Sequence, residues 1–303
     1  MSRNRFRGSA LSASVTAVLL LAASAAGGIY LAGRSSDHAP RATASVSSVP
    51  AAGSTPVPAT TSEEPTVDLD AALAAAVEPL LTDVGDAEVS VAVLDTGIGA
   101  RAVYGDGAYD TASIVKVDIL AALLLRAQDE KRALTDGEHG HARAMIERSD
   151  NASATALLRA IGGAKALDAA NERLGLTGTT AAHAWGLTQT TAADQLILLK
   201  AVFGTESELS EGSRTYLQRL MEQVEADQQW GVSAAGSSWA LKNGWMPRTT
   251  TGLWDINSIG RVSADGRTYL VAVLSGGQRT KETGIALVES VAKAAVGVLD
   301  AAR

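Results

Sequence analysis

Apolar and polar positions change rhythm three times along this chain of 303 residues. "LDAALAAAVEPLL" (69–81) predicts a helix, because alanine loses least on entering one. "AEVSVAVLDT" (87–96) alternates its valines with the two-residue period of a strand, and a glycine-containing turn leads on to "ARAVYGD". From Thr111 to about Ala226 the period becomes helical, in "ARAMIER", "ASATALLRAI", "AKALDAANERLG", "AADQLILLKAVF" and "RTYLQRLMEQVEA", with Gly, Thr and Ser between them. After Gly236 the strand rhythm returns in "SWALKNGW", "LWDINSIGRV" and "TYLVAVLSG". "SADGR" joins the last two, and its Asp-Gly pair is a hairpin signal. "GIALVESVAKAAVGVLD" closes the chain as a helix. Strands at both ends and helices between them predict an α+β fold. One antiparallel sheet is built from the two chain ends, a helical lobe is inserted, and a ligand cleft lies between lobe and sheet.

The N-terminus breaks this scheme. Arg3, Arg5 and Arg7 precede a run with no charged residue until Arg34. Such a run is long enough to span a bilayer, which takes roughly 20 apolar residues, and the leading arginines predict a cytoplasmic start with the rest exported. Two readings stand for residues 1–34: a membrane anchor, or a signal peptide cleaved near "ASA" (23–25). Residues 35–67, rich in Ser, Thr, Ala and Pro, bury too little apolar surface to order and predict a flexible tether. The folded domain is expected over residues 68–303.

Charge and composition narrow the function. A net charge of −7 leaves no basic footprint for nucleic acid. The absence of cysteine removes disulfides, thiolate chemistry and a lipoprotein attachment site.

Three polar clusters interrupt the apolar pattern. "YDTASIVKVDILAALLLRAQ" (109–128) carries Ser113 and Lys116 at i and i+3, on one face of a helix that is otherwise apolar all round. Asp110 or Thr111 is placed to cap that helix, leaving Ser113 in its first turn with an N–H available to an oxyanion. A lysine in such a setting is neutralised, paired or used. Taken alone, the pair also fits a capped helix with a snorkelling lysine. Ser149, Asp150 and Asn151 form the second cluster, which alone is a good helix-starting turn. The third is Lys242-Asn243-Gly244 on a late strand, an ammonium beside a bare backbone edge; alone it is a protected sheet edge.

In this order, Ser-x-x-Lys, Ser-Asp-Asn and Lys-x-Gly resemble the penicillin-recognising serine hydrolases, which include the class A β-lactamases and the D,D-peptidases. The resemblance covers residues 68–303 and implies the same architecture. It implies Ser113 as acylated nucleophile, Lys116 as its base, and Ser149 as proton relay to the leaving nitrogen in the positive field of Lys242. It further implies the backbone N–H groups of Ser113 and Trp245 as oxyanion hole, Asn151, Asn243 and Gly244 as substrate contacts, and Asp150 as a structural brace. No metal and no cofactor is implied.

Three departures qualify the resemblance. In class A β-lactamases a loop glutamate activates the water that clears the acyl-enzyme. The matching stretch "LGLTGTTAAHAWGLTQTTAADQ" (174–195) has no Asp or Glu until Asp194, and its His183 reads as a polar loop residue. Asn243 stands where Ser or Thr is usual, and the Trp245 ring is expected to crowd the same rim. The interval between Ser113 and Ser149 is short, which predicts a trimmed lobe and an open cleft. His139 and His141 lack a third ligand and are expected in a solvated, glycine-rich loop. The expected partner is a small molecule or cell-wall peptide, with the membrane reached through the N-terminus. Two alternatives stay open: a β-lactamase with an unusual deacylating base, and a binding protein that has lost turnover.

Overall fold

The computed structural model describes residues 67–302. The expected anchor and, apart from Val67, the expected tether lie outside the described residues. Among those described, no helix is long and apolar enough to cross a membrane.

Helix α1 (Leu69–Val77) is capped by Asp68, whose carboxylate accepts from the amides of Asp70 and Ala71. β1 (Glu88–Asp95) and β2 (Arg101–Tyr104) follow as an antiparallel pair. After the short β3 (Tyr109–Asp110) the lobe is built from α2 (Val115–Asp129), α3 (Asp136–Glu147), α4 (Asn151–Ile161) and α5 (Ala164–Leu174). The short β4 (Gln189–Thr190) pairs with β3, and α6 (Ala192–Phe203) and α7 (Glu211–Met221) complete the lobe. β5 (Ser238–Pro247), β6 (Trp254–Ala264), β7 (Arg267–Gln278) and α8 (Lys281–Ala301) end the chain.

The main sheet is ordered β2-β1-β7-β6-β5, antiparallel throughout. Pairing of β1 with β7 joins the two ends of the domain, as the strand rhythm predicts. Alternation along the central strands supplies two cores at once. Val89, Val91, Val93, Val271 and Val273 pack towards α1 and α8. Ala92, Leu270, Ala272 and Leu274 pack towards the lobe. Both faces of the sheet are therefore covered, and burying each large aliphatic side chain stabilises the fold by about 1.5–3 kcal/mol.

Local signals explain the turns. Asp265 and Gly266 both take positive φ (50° and 78°), the conformation a two-residue hairpin needs between β6 and β7. Thr135 and Glu138 form a reciprocal capping box that starts α3. This corrects the expectation for "EHGH": the capping box "TDGE" draws the glycines into a helix, so His139 and His141 sit on α3 rather than in a loop. His139 Nδ1 meets the Tyr216 hydroxyl at 3.1 Å and His141 Nδ1 meets that of Ser153 at 3.1 Å. Two residues apart on a helix, the pair point in different directions.

Candidate active site

α2 is the pivot of the site. Twelve of its 15 residues are buried, Lys116 and Asp118 among them. Just before it, Ala112–Ile114 form a 3-10 turn, so Ser113 precedes the α-helix instead of lying in its first turn. Ala112 takes φ 46°, which costs a non-glycine residue about 1 kcal/mol or more. Thr111 occupies the N-cap position without capping; its hydroxyl points to the carbonyl oxygen of Trp185 at 3.4 Å. Asp110 binds Gln189 and Arg248 instead of a helix end.

Four oxygens surround Lys116 Nζ: Ser149 O at 2.7 Å, Asn151 Oδ1 at 2.8 Å, Ser113 Oγ at 2.9 Å and Ser149 Oγ at 3.0 Å. Lys116 is wholly inaccessible to solvent. Burial brings its pKa down to about 7, with the Asp150 carboxylate opposing part of that effect. The inventory of hydrogens is informative. The carbonyl of Ser149 and the amide oxygen of Asn151 can only accept, so they take the two hydrogens of a neutral amine. The remaining lone pair faces the hydroxyls of Ser113 and Ser149, each able to donate. Ser149 is held for this by a second positive φ, of 56°. Asp150 caps α4 through the Ser153 amide at 2.7 Å, and the hydroxyl and amide of Ser153 hold its carboxyl below the usual range.

β5 forms one wall. Lys242 is fully buried with its Nζ donating to the Asn243 carbonyl at 2.9 Å. Burial, reinforced by Lys116, pushes its pKa well down. The expected positive field therefore exists only while Lys242 holds a proton that its surroundings disfavour. Asn243 does not reach the cleft. Its amide donates to the carbonyls of Gln228 at 2.8 Å and Trp230 at 2.9 Å, behind the strand. The Trp245 ring lies 5.9 Å from that of Trp230, with Lys281 Nζ 4.2 Å from its centroid, while the residue still bounds the cleft. A strand turns alternate side chains to opposite faces, so Lys242 and Asn243 cannot share one. The bareness of Gly244 has a packing role. A Cβ there would lie 2.7 Å from the Thr111 oxygen and 2.8 Å from the Ser113 nitrogen, so its bareness lets the nucleophile's turn approach the strand.

The loop over residues 176–191 forms the opposite wall. Asp194, the first carboxylate after it, is turned inward, accepting from Gly178 N at 2.8 Å and Thr179 Oγ1 at 2.7 Å. His183 is exposed and does not line the cleft. Trp185 does, with its ring centroid 4.7 Å from Lys116 Nζ. Between the walls lies a cleft of about 420 Å³, bounded by Ser113, Asn151, Trp185, Leu187, Trp245 and Met246 among others. Most of its side chains are apolar, and Ser113 is among the residues that line it.

Two contributors were not legible beforehand. Asn257 on β6, fully buried, donates to the carbonyls of Asp110 at 2.9 Å and Thr111 at 3.1 Å, so it pins the turn that carries Ser113. A polar residue inside the apolar strand "WDINSIGRV" was the available signal. Trp185 was the other; nothing in its loop's composition announces the lysine it covers.

Comparison with known proteins agrees with this fold. A family model described as the beta-lactamase enzyme family matches residues 141–299, a span that holds Ser149 and Lys242 and begins beyond Ser113. A class A β-lactamase from Bacteroides cellulosilyticus superposes with a TM-score of 0.67 at 18% identity, covering 77% of this chain and 99% of that one. The TLA-1 extended-spectrum β-lactamase gives 0.68 at 19%, covering 76% and 99%. A mutant of PBP-A, solved as an acyl-enzyme complex with penicillin G, gives 0.65 at 20%, covering 76% and 96%. At these identities the structural likeness speaks for the fold. No curated protein matches the sequence.

Proposed function

The chain belongs to the beta-lactamase enzyme family, and from that premise we propose that it is a serine acyl-transfer hydrolase that works through an ester on Ser113. The observation that carries this reading is the Lys116 amine: buried, drawn towards neutrality, and 2.9 Å from the Ser113 hydroxyl. In the first half-reaction Ser113 Oγ attacks the substrate carbonyl while its proton passes to Lys116. Amides of Ser113 and Trp245 are the assigned donors to the resulting oxyanion. Collapse breaks the acyl–nitrogen or acyl–oxygen bond, and the leaving group takes up the proton by way of Ser149, whose Oγ lies 3.0 Å from Lys116 Nζ. An acyl ester on Ser113 remains, to be cleared by water or another nucleophile.

The second half-reaction separates the candidates. The loop over residues 176–191 carries no carboxylate, and Asp194 is spent on holding it. That supports slow hydrolysis of the ester and disfavours efficient β-lactamase turnover. Substrates assigned to the cleft are peptides, amides or esters of the cell envelope, which suits the export signal read in residues 1–34.

Mass spectrometry of the chain mixed with benzylpenicillin tests the reading. A β-lactam opens without losing an atom, so an adduct of the full penicillin mass on Ser113, absent from Ser113→Ala and persisting for hours, is expected. Neither adduct nor loss of the β-lactam would move the assignment to a binding protein.

A further inference from the structure

Trp185 is held at both ends. Its indole N–H donates to Thr155 Oγ1 at 3.2 Å, and that hydroxyl is itself tied to the Asn151 carbonyl at 3.0 Å. Its backbone carbonyl accepts from the amide of Thr188 at 3.1 Å and the Thr111 hydroxyl at 3.4 Å. A ring so fixed covers Lys116 Nζ from the cleft side, 4.7 Å away. The other neighbours of that amine are the four oxygens of Ser113, Ser149 and Asn151.

We propose that Trp185 is a positioning residue that lids the Lys116 amine, excluding water from it and from an acyl group on Ser113. This rests on the acyl-enzyme reading above and deepens it, by assigning the slow second step to a side chain that is present as well as to a carboxylate that is not.

An aromatic face and water exclusion act on the amine in opposite senses. The face of the ring attracts a cation, whereas exclusion of water disfavours one. Burial is the leading cause of the lowered Lys116 pKa, and a ring 4.7 Å from the amine supplies part of that burial, so the lid is assigned the sense of keeping the amine neutral. The charged groups facing it are Asp150, on the turn before α4, and Lys242, on β5. The loop over residues 176–191 adds only the exposed His183.

The test follows the titration of Lys116 directly, by NMR of the whole chain labelled at lysine Cε and assigned with Lys116→Arg. Trp185→Ala is expected to raise the midpoint by about one unit or more, since water then reaches the ammonium. Trp185→Phe keeps most of the cover but gives up the indole bond to Thr155, and is expected to raise the midpoint by less than Trp185→Ala. Thr155→Val, at an exposed helix position, frees the indole and gives up the hydroxyl's bond to the Asn151 carbonyl within α4, and is likewise expected to shift the midpoint upward by less than Trp185→Ala; it decides the matter if Trp185→Ala does not fold. In parallel, the benzylpenicillin adduct of Trp185→Ala is expected to disappear about tenfold faster or more. An unmoved midpoint in Trp185→Ala and Thr155→Val would overturn the proposal. Absence of any adduct in the parent would instead sink the acyl-enzyme reading, while the titration still decides whether Trp185 is a lid.

Discussion

A Cβ placed on Gly244 would stand 2.8 Å from the amide nitrogen of Ser113, so strand and nucleophile turn meet backbone to backbone. No real Cβ tolerates that spacing. The separation between Lys242's strand and Ser113 is therefore set by a side chain that is missing, and Lys116, Ser149 and the cleft floor take their places around it.

Gly244→Ala should accordingly damage structure and chemistry together. Overpacking of this kind costs typically about 1–3 kcal/mol, and the neighbours at risk are the Thr111 carbonyl and the amides of Ser113 and Ile114. Urea unfolding should show the loss, and acylation by benzylpenicillin should slow. An alanine variant with parental stability and rate would mean that β5 and the turn are independent.

Lys116 should set the pH dependence of acylation. Only the neutral amine has a lone pair for the Ser113 proton, and its pKa lies at about 7. The acylation rate should rise with pH through that value and then level off. Lys116→Met should lose roughly 10²- to 10⁴-fold, the usual worth of a general base, and with it the inflection near neutrality. A flat profile in the parent chain would remove Lys116 from the role.

The fold was readable because its signals are local. Valine alternation in β1, the Asp-Gly turn before β7 and the apolar run of α2 each specify an element without help from elsewhere. Asn243 carries its signal in the sequence: period-two alternation separates it from Lys242 and Gly244, although the Lys-Asn-Gly string reads as one motif. The histidines of α3 are similar, since the Thr135–Glu138 capping box was in view. Trp185 is different in kind. Its value depends on how a loop folds back over a residue 69 positions earlier, and no period or spacing encodes that.

Asn257 should prove a brace for the nucleophile. It donates to two carbonyls of the turn and accepts from Ser275 N at 3.1 Å, all of them buried bonds. Asn257→Ala removes one partner from each of these groups, the Thr111 carbonyl keeping the Ile114 amide at 3.2 Å, and costs about 1–3 kcal/mol for each group left unpaired before relaxation. The expected result is a clear fall in unfolding free energy and a slower acylation by benzylpenicillin. Stability lost with the acylation rate intact would show that the turn holds its shape without Asn257.

Asp118, two residues beyond Lys116, should shape the pH dependence of stability. It is fully buried, neither carboxylate oxygen has a hydrogen-bond partner, and burial raises its pKa from 3.8 to about 7. Gln195 on α6 is its polar neighbour, and the Oε1 of Gln195 also lacks a donor. A carboxyl that keeps its proton has a hydrogen to give. Between pH of about 4 and 7 the unfolded chain releases the Asp118 proton while the folded one retains it, so the native state binds more protons. Its contribution to stability is thus whole below the unfolded pKa and is lost as pH rises through about 7. Asp118→Asn stays neutral throughout and cannot follow that course. Denaturant unfolding from pH 4 to 8, with the slope limited to about 1.4 kcal/mol per unit, should show the variant gaining on the parent as pH rises, and the gap growing no further above the folded pKa. Parallel curves would mean that Asp118 is ionised in the fold, paired in a way its surroundings do not reveal.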